Sequence, residues 1–506
     1  MPTATYQLLL DLNDDGDFSD AGEDISADVI AAEIERGFAG PLAREATVGR
    51  ATFLLDNSSK NYSPPSASNV LPRREVRFDM TYSSTSATMF RGFIESIQPS
   101  PGIYRDRRVV LECVDALALL DVHEGPLALQ VNVTASCIIG AVISAVYTPP
   151  GSTLQSGLNV FPFSADRWSE TTNAGANFRS RGATEEIQAS RKIEDACVSD
   201  WGRFFVSKAG CPTFHNRHQT TLDTTTELTL SNAHLNQQYR KAIADVFNQV
   251  EVTCHPRVLG TVNEVLGTIS QTTSHEINSS GSVMFILHYR DPAIPDQPIG
   301  GASVVTPAAG TDYTVTQDGP GLGSDQSACV SVCMNGYADK AEIWLSSNSV
   351  SPLYLQTLQV RGLAVRVRDP VVMSASSASS VTTFQRRKLR LDAPLMSLES
   401  EAFRLAEYLA DVYETPRDEV LGVEFSANDT DTLMAAARDL ELQDRVLLTE
   451  SQTGLSSYVG FVYRMVHVIP NKYNHHVLLD LETALSVASP FRLDVSALNS
   501  GHLLLY

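Results

Sequence analysis

The sequence predicts a mainly β chain with α/β inserts, an α+β class, divided into several domains. Three observations predict it. The stretch Glu75-Val76-Arg77-Phe78-Asp79-Met80-Thr81-Tyr82 alternates polar and apolar residues without a slip, the period of a strand with one buried face. Turn formers crowd between such runs, as from Asp56 to Pro65. With 506 residues the chain exceeds one hydrophobic core, and length alone suggests roughly three to four domains.

The elements follow in chain order. Leu8-Leu9-Leu10, Ala51 to Leu55 and Arg108 to Val114 join Glu75 to Tyr82 as strands of a first barrel or sandwich. Thr134 can cap an apolar helix through Val146, stopped by Pro149-Pro150. Ser190 can cap a second helix, with Ile193, Ala196, Cys197 and Trp201 on one face and Gly202 at its end. A hairpin of Arg203 to Val206 and Thr213 to His215 then turns at Lys208-Ala209-Gly210. Gln249 to Thr253 reads as a strand, and 261–375, rich in Gly, Ser and Thr, as an inserted β-sandwich. Ser374 to Ser380 looks like a linker. Ala402, Leu405, Ala406, Leu409, Val412 and Tyr413 form the clearest helical stripe, with Ser397 as its cap. A further helix spans about Asp431 to Leu440. Strands follow at Arg445 to Leu448, Gly460 to Ile469 and His476 to Leu481.

Composition narrows the function. Hydrophobic residues at 43% and charged residues at 19% belong to a folded chain. No apolar run reaches the roughly 18 residues of a membrane span, and the start lacks the basic region of a secretory signal. The seven cysteines are scattered, with no CxxC pair, so buried free thiols are expected; Cys329 and Cys333 read as one strand face in the core or an interface. A net charge of -21 argues against sequence-reading DNA binding, which needs clustered Lys and Arg. Arg105 to Arg108 and Arg386-Arg387-Lys388 are short and isolated. The same acidity would suit a passage through which DNA slides.

Catalytic signatures are missing: no GxSxG, HExxH or GxxxxGK[ST] occurs. Gly319 to Gly323 has the wrong spacing for a dinucleotide loop. His215 with His218, and His475 with His476, lack partnering ligands, and Glu185-Glu186 suits a solvated helix face. The sharpest motif is an aspartate-rich loop. Asp11, Asn13, Asp15 and Asp17 alternate with Gly16 after the third, as in a calcium loop, and Glu23 is the fifth candidate ligand. The twelfth position is Gly22, with Glu23 one residue late, and no helices flank the loop. The competing and better supported reading is a hairpin turn whose side chains cap backbone amides. No cofactor is required on either reading; calcium is the only one suggested.

Several short segments, in order, resemble a group of tail proteins of long-tailed bacteriophages and prophages. They are Asp11 to Phe18, Gly49 to Asn57, Tyr62-Ser63-Pro64, Phe90 to Ile94 and Leu111 to Ala116, then Asp200 to Phe205, Phe214 to Arg217, Val246 to Val250, Leu358 to Gly362, Asp444 to Leu447 and Gly460 to Ile469. The family implied is the baseplate hub or tail-hub (tail-tip) protein. That resemblance implies two tube-type β-barrels, at 1–120 and at 241–260 plus 381–490. It adds a mixed domain at 121–240, the sandwich at 261–375 and a C-terminal tail at 491–506. It also implies a non-enzymatic virion protein, made in the host cytoplasm without stable membrane insertion, with no long lytic or receptor-binding extension after residue 506. Its partners would be two further copies in a homotrimeric ring, a distal tail or tube protein above, a spike or fibre below, and DNA in the lumen. A carbohydrate-binding tail-tip module is the alternative, and a cell-wall hydrolase a third.

Overall fold

The computed structural model describes residues 2–65, 69–102, 107–122, 129, 131, 133–146, 164–165, 171–172, 188–217, 225–232 and 235–484. Arg105, Asp106, Pro149, Pro150, Glu185, Glu186, His218 and the tail at 491–506 lie outside the described residues. The fold is mainly β. Its strands open with β1 (Thr5–Leu10), β2 (Val29–Gly37), β3 (Thr47–Asp56), β4 (Glu75–Tyr82), β5 (Thr85–Ser100) and β6 (Arg108–Val114). The helices α1 (Leu117–Val122), α2 (Ala135–Val146) and α3 (Ala189–Asp200) pack together on Ile138, Ile139, Ile193 and Ala196. Ser190 lies inside α3 rather than capping it, and Trp201 ends it in a left-handed conformation. The expected hairpin follows as β7 (Arg203–Val206) and β8 (Pro212–His215).

Next come β9 (Leu228–Ser231), β10 (Asn236–Lys241) and β11 (Gln249–Cys254). Between 257 and 367 a five-stranded sheet built on Leu353–Val367 faces a three-stranded one, enclosing Leu266, Ile277, Ile343, Leu345 and Leu358. Two readings of this region need correcting. Cys329 ends a 3-10 turn and only Cys333 lies on the strand Val330–Gly336, exposed, so the two share no buried face. The Ser-rich "linker" is ordered: β12 (Val371–Ser376) pairs with β11, and Ser377 caps α4 (Ala378–Phe384) by accepting from the Ser380 amide. Small hydroxylated residues can cap and pair as well as link.

The chain then runs through β13 (Lys388–Ala393), α5 (Glu399–Val412), β14 (Asp418–Ser426), α6 (Asp431–Asp439), β15 (Arg445–Glu450), β16 (Leu455–Asn471) and β17 (Asn474–Thr483). Leu398, rather than Ser397, holds the N-cap position of α5. The stripe Ala402, Leu405, Ala406 and Leu409 covers the separate sheet β12-β11-β13. Thus Gln249–Cys254 lies under α5 and outside the largest sheet.

That largest sheet runs β1-β4-β5-β6-β3-β2-β16-β17-β14-β10, with β15 paired to β16 and β9 paired to β15. Strands from the first hundred residues and from the last described hundred therefore share one hydrogen-bonded sheet. The strand β16 makes the junction because it is long. One edge pairs with β17 from Gly460 to Asn471, while the other pairs first with β15 and then, from Arg464 to Ile469, with β2. The face below is one core: Ile34, Phe53, Leu111 and Phe78 pack with Met465, Val477, Leu479 and Phe425. The expectation of two closed barrels is not met, since no sheet closes among the described residues. The reason lies at β1. Its outer edge takes the returning chain (Leu10 N to Glu23 O, 2.9 Å; Ile25 N to Leu8 O, 3.0 Å), while Leu433, Met434 and Ala437 of α6 pack into the same core.

At the seam, a Cβ on Gly37 would lie 2.5 Å from the Arg464 Cα, and Gly37 has φ +150°. Replacing it by Ala forces the seam apart and costs roughly 1–3 kcal/mol for overpacking, with about 1–3 kcal/mol more for the backbone conformation. Denaturant titration of Gly37→Ala should show that loss in a single transition. Separate melting of the two ends of the sheet would contradict a shared core.

Candidate functional site

Alternation along the strands gives the large sheet a second face, opposite the core. Cross-strand pairing aligns Ser96, Glu112, Thr52, Glu33, Val468 and His476 in one row. Arg50, Glu35, Val466, Leu478 and Glu424 align in the next. The rows cross the β2–β16 seam without a break and span about 30 Å of wall at ~4.8 Å per strand. In and beside them the carboxylates Glu33, Glu35, Glu95, Glu112, Glu424 and Asp480 outnumber Arg50 and Arg464. Arg464 pairs with both Glu35 (2.7 Å) and Asp480 (3.0 Å), and Arg50 with Glu95 (2.8 Å), while Glu33 stands exposed. The site is thus an acidic surface shared by both ends of the chain.

A buried ionic lock holds that surface in shape. Arg36 at the end of β2 bonds Glu441 at 2.7 Å, and the Lys208 amide donates to the other Glu441 oxygen at 2.7 Å. The Lys208 ammonium also donates to the carbonyls of Arg438, Asp439 and Leu440 at the end of α6, where the helix dipole favours a cation. Arg203 reaches Gln443 at 2.9 Å, the Pro41 carbonyl at 2.7 Å, and Glu482. Burial works to raise the Glu441 carboxyl, but Arg36 and Lys208 hold it below its ordinary value. Arg203, Arg417 and Arg44 do the same for Glu482 against the same burial. The β7–β8 hairpin therefore clamps the loop after β2 onto the last module.

A second buried chain ties β1 to β17. The Tyr6 hydroxyl lies 3.0 Å from His475 Nδ1, and His475 Nε2 lies 2.9 Å from His467 Nδ1. One consistent assignment has Tyr6 donating to His475 and His475 donating to His467. Asn428 fixes the corner, accepting from the His475 amide at 2.8 Å and donating to the Pro2 carbonyl at 3.0 Å. Burial drives His475 down to about 3, and burial with the neighbouring His475 drives His467 well below the ordinary histidine value.

The aspartate-rich loop forms the bend between β1 and the chain covering its edge. Asp11, buried, accepts from the Asp14 and Gly16 amides at 2.5 and 2.9 Å. Glu23, also buried, accepts from the Leu12 and Asp20 amides at 3.1 and 3.0 Å. Asn13, Asp15 and Asp17 each accept from the amide two residues on, at 3.2, 3.1 and 2.8 Å. Among the described residues no three His, Cys, Asp or Glu side chains are grouped to hold a metal ion. The loop side chains cap their own backbone amides, as a hairpin turn would.

Of the other candidates, His475 is structural and His476 lies 3.4 Å from Glu424 on the acidic face. His215 packs edge-on against Phe205. Lys388 pairs with Glu251. The cysteines described are free thiols; Cys113, Cys197 and Cys254 are buried as expected, while Cys137 and Cys333 are exposed. No helix of the described residues is long and apolar enough to cross a membrane. The lock and the histidine chain escaped the sequence reading, because their partners lie far apart, 405 residues for Arg36 and Glu441.

The histidine chain gives a pH dependence. Unfolded histidines take protons below about pH 6.5, whereas His467 and His475 resist protonation in the fold. Stability is therefore full above pH 6.5 and falls as the pH drops toward 3, by up to about 1.4 kcal/mol per pH unit for each histidine. Chemical denaturation from pH 7.5 to 5 should show this slope. His467→Gln, which bonds but does not titrate, should remove about half of it; an unchanged slope would assign the effect elsewhere.

No family model matches the chain, and no curated protein sequence matches it. Solved structures do. A tail protein from Neisseria meningitidis MC58 is similar at 9% identity and TM-score 0.47, covering 95% of this chain and 96% of its own. The prophage MuSo2 43 kDa tail protein from Shewanella oneidensis is similar at 7% identity and TM-score 0.47, covering 95% and 99%. A Francisella PdpA-VgrG complex is similar at 10% identity and TM-score 0.41, covering 97% of this chain and 54% of that one.

Proposed function

We propose that the chain is a structural, non-enzymatic protein of a virus-type tail, a hub subunit at the tail tip. Three copies close into a ring that joins the tail tube to a threefold tip and surrounds a channel for DNA. The observation that carries this reading is the continuous sheet face across the first and last modules, on which carboxylates outnumber the arginines. A wall of that kind is useful where a polyanion must pass without sticking, because carboxylates repel phosphates and leave no counterions to release. The sheet, unclosed among the described residues, supports the same reading: neighbouring copies would complete the two tube-type barrels, as closed cyclic assemblies do. The partners proposed are a tube protein above and a spike or fibre below, within the virion.

Native mass measurement of the purified chain, or of a tail particle dissociated stepwise, should find a trimer. Replacing Glu33 by Lys should leave the fold intact, since Glu33 is exposed, yet slow DNA passage at low salt. A monomer absent from tail tips, or DNA release unaffected by the charge reversal, would count against the channel.

In this proposal the Asp11 to Glu23 loop closes the β1 edge and needs no calcium. Asp11→Ala should cost about 1–3 kcal/mol by leaving buried amides unpaired. The melting temperature should be the same in chelator and in millimolar calcium. A rise of several degrees with calcium would restore the calcium-loop reading.

A further inference from the structure

Where the β7–β8 hairpin meets the last module, a cavity of about 40 Å³ opens, larger than the ~10–15 Å³ that one water needs. Its wall carries four arginines, Arg44, Arg203, Arg217 and Arg417, and a single carboxylate, Glu482. The first three are 8%, 5% and 6% exposed, so these cations are held out of water. The chain as a whole has 38 Lys and Arg against 59 Asp and Glu, and the cavity wall reverses that balance.

The charges in the wall do not cancel. Glu482 pairs with Arg203 and, at 3.5 Å, with Arg417. Arg44 has no carboxylate within ion-pair distance among the described residues. Its guanidinium donates to the Leu42 and Pro41 carbonyls at 3.1 and 2.5 Å and lies over the Trp201 ring, 4.3 Å from its centre. Two neutral acceptors and a ring face compensate weakly, because a desolvated ion needs an opposite charge to offset the water it has lost. Burial, together with the neighbouring Arg203, lowers the Arg44 guanidinium to about 10. It still keeps its proton at neutral pH, so an anion is the partner that would balance it.

We propose that this cavity binds a small free oxyanion, inorganic phosphate or sulfate, among the guanidinium groups of Arg44, Arg203, Arg217 and Arg417. The planar fork of a guanidinium matches paired oxygens of such ions. Size sets the upper limit: the cavity is far below the ~300 Å³ where pockets for larger ligands begin, so a nucleotide is excluded. The four arginines come from the loop after β2, from β7, from just beyond β8 and from just before β14. A bound anion would therefore cross-link the hairpin clamp to the last module. The inference stands apart from the ring proposal, since it needs only one copy.

Two measurements test it on the full chain. Calorimetric titration with sodium phosphate, against sodium chloride of equal ionic strength, should find one saturable site per chain for which sulfate competes. Arg44→Gln, which keeps a donor for the loop carbonyls but no charge, should weaken that binding roughly tenfold or more, the loss of one charge-assisted hydrogen bond. Arg191→Gln, at an exposed position of α3 paired with Glu194, should leave it unchanged. Hydrogen exchange on the unaltered chain locates the site without any variant: phosphate should slow the peptides holding Arg44 and Asn216-Arg217 and leave Glu75 to Tyr82 as they were. Phosphate binding no better than chloride would overturn the proposal. So would an affinity that Arg44→Gln leaves intact, or slowed exchange confined to peptides away from the cavity.

Discussion

The structure depends on the pairing of β2 with one half of β16. Six cross-strand partners, from Ala32 with Ile469 to Gly37 with Arg464, convert two modules distant in sequence into one sheet. Everything else follows from that contact. The core rows continue through it, Ile34 lying between Ala51 and His467, and so does the acidic row opposite. Only glycine suits the position where Gly37 meets the Arg464 backbone, because any Cβ there would collide with main chain that cannot swing aside.

Polar groups at this seam divide the labour. Apolar burial supplies the bulk of the stabilisation, at roughly 25 cal/mol per Å², but it is indifferent to register. Buried ions and hydrogen-bonded rings are not indifferent. Arg36, Lys208 and Glu441 satisfy one another only when the hairpin, the end of α6 and the end of β2 meet in one arrangement. The Tyr6–His475–His467 chain does the same for β1. A desolvated pair left without its partner costs more than the pair contributes, so both devices penalise misregistered alternatives.

Much of the fold was legible in the sequence where the signal is local. Glu75 to Tyr82 alternates and is β4 to the residue; the stripe from Ala402 to Leu409 is the buried face of α5. Less was legible where long-range pairing decides. Leu228 to Ser231 and Asn236 to Lys241 carry too few apolar residues to announce strands, and their partners β15 and β14 lie about two hundred residues away. Ser374 to Ser380 reads as a linker by composition, yet β11 offers it a ladder. In the aspartate-rich loop the spacing suits both calcium and a capped turn. The structure shows the carboxylates of Asp11 and Glu23 accepting from their own backbone amides, a pairing that spacing alone does not specify.

The central claim is that the two ends of the chain form one wall of a ring, with the Glu33 and Glu35 side facing the bore. An image of the assembled tail tip, with its rotational symmetry determined and this chain fitted, tests that most directly. The account predicts three copies around the axis with the acidic rows lining the lumen. A single copy, or a ring with those rows turned outward, would contradict it.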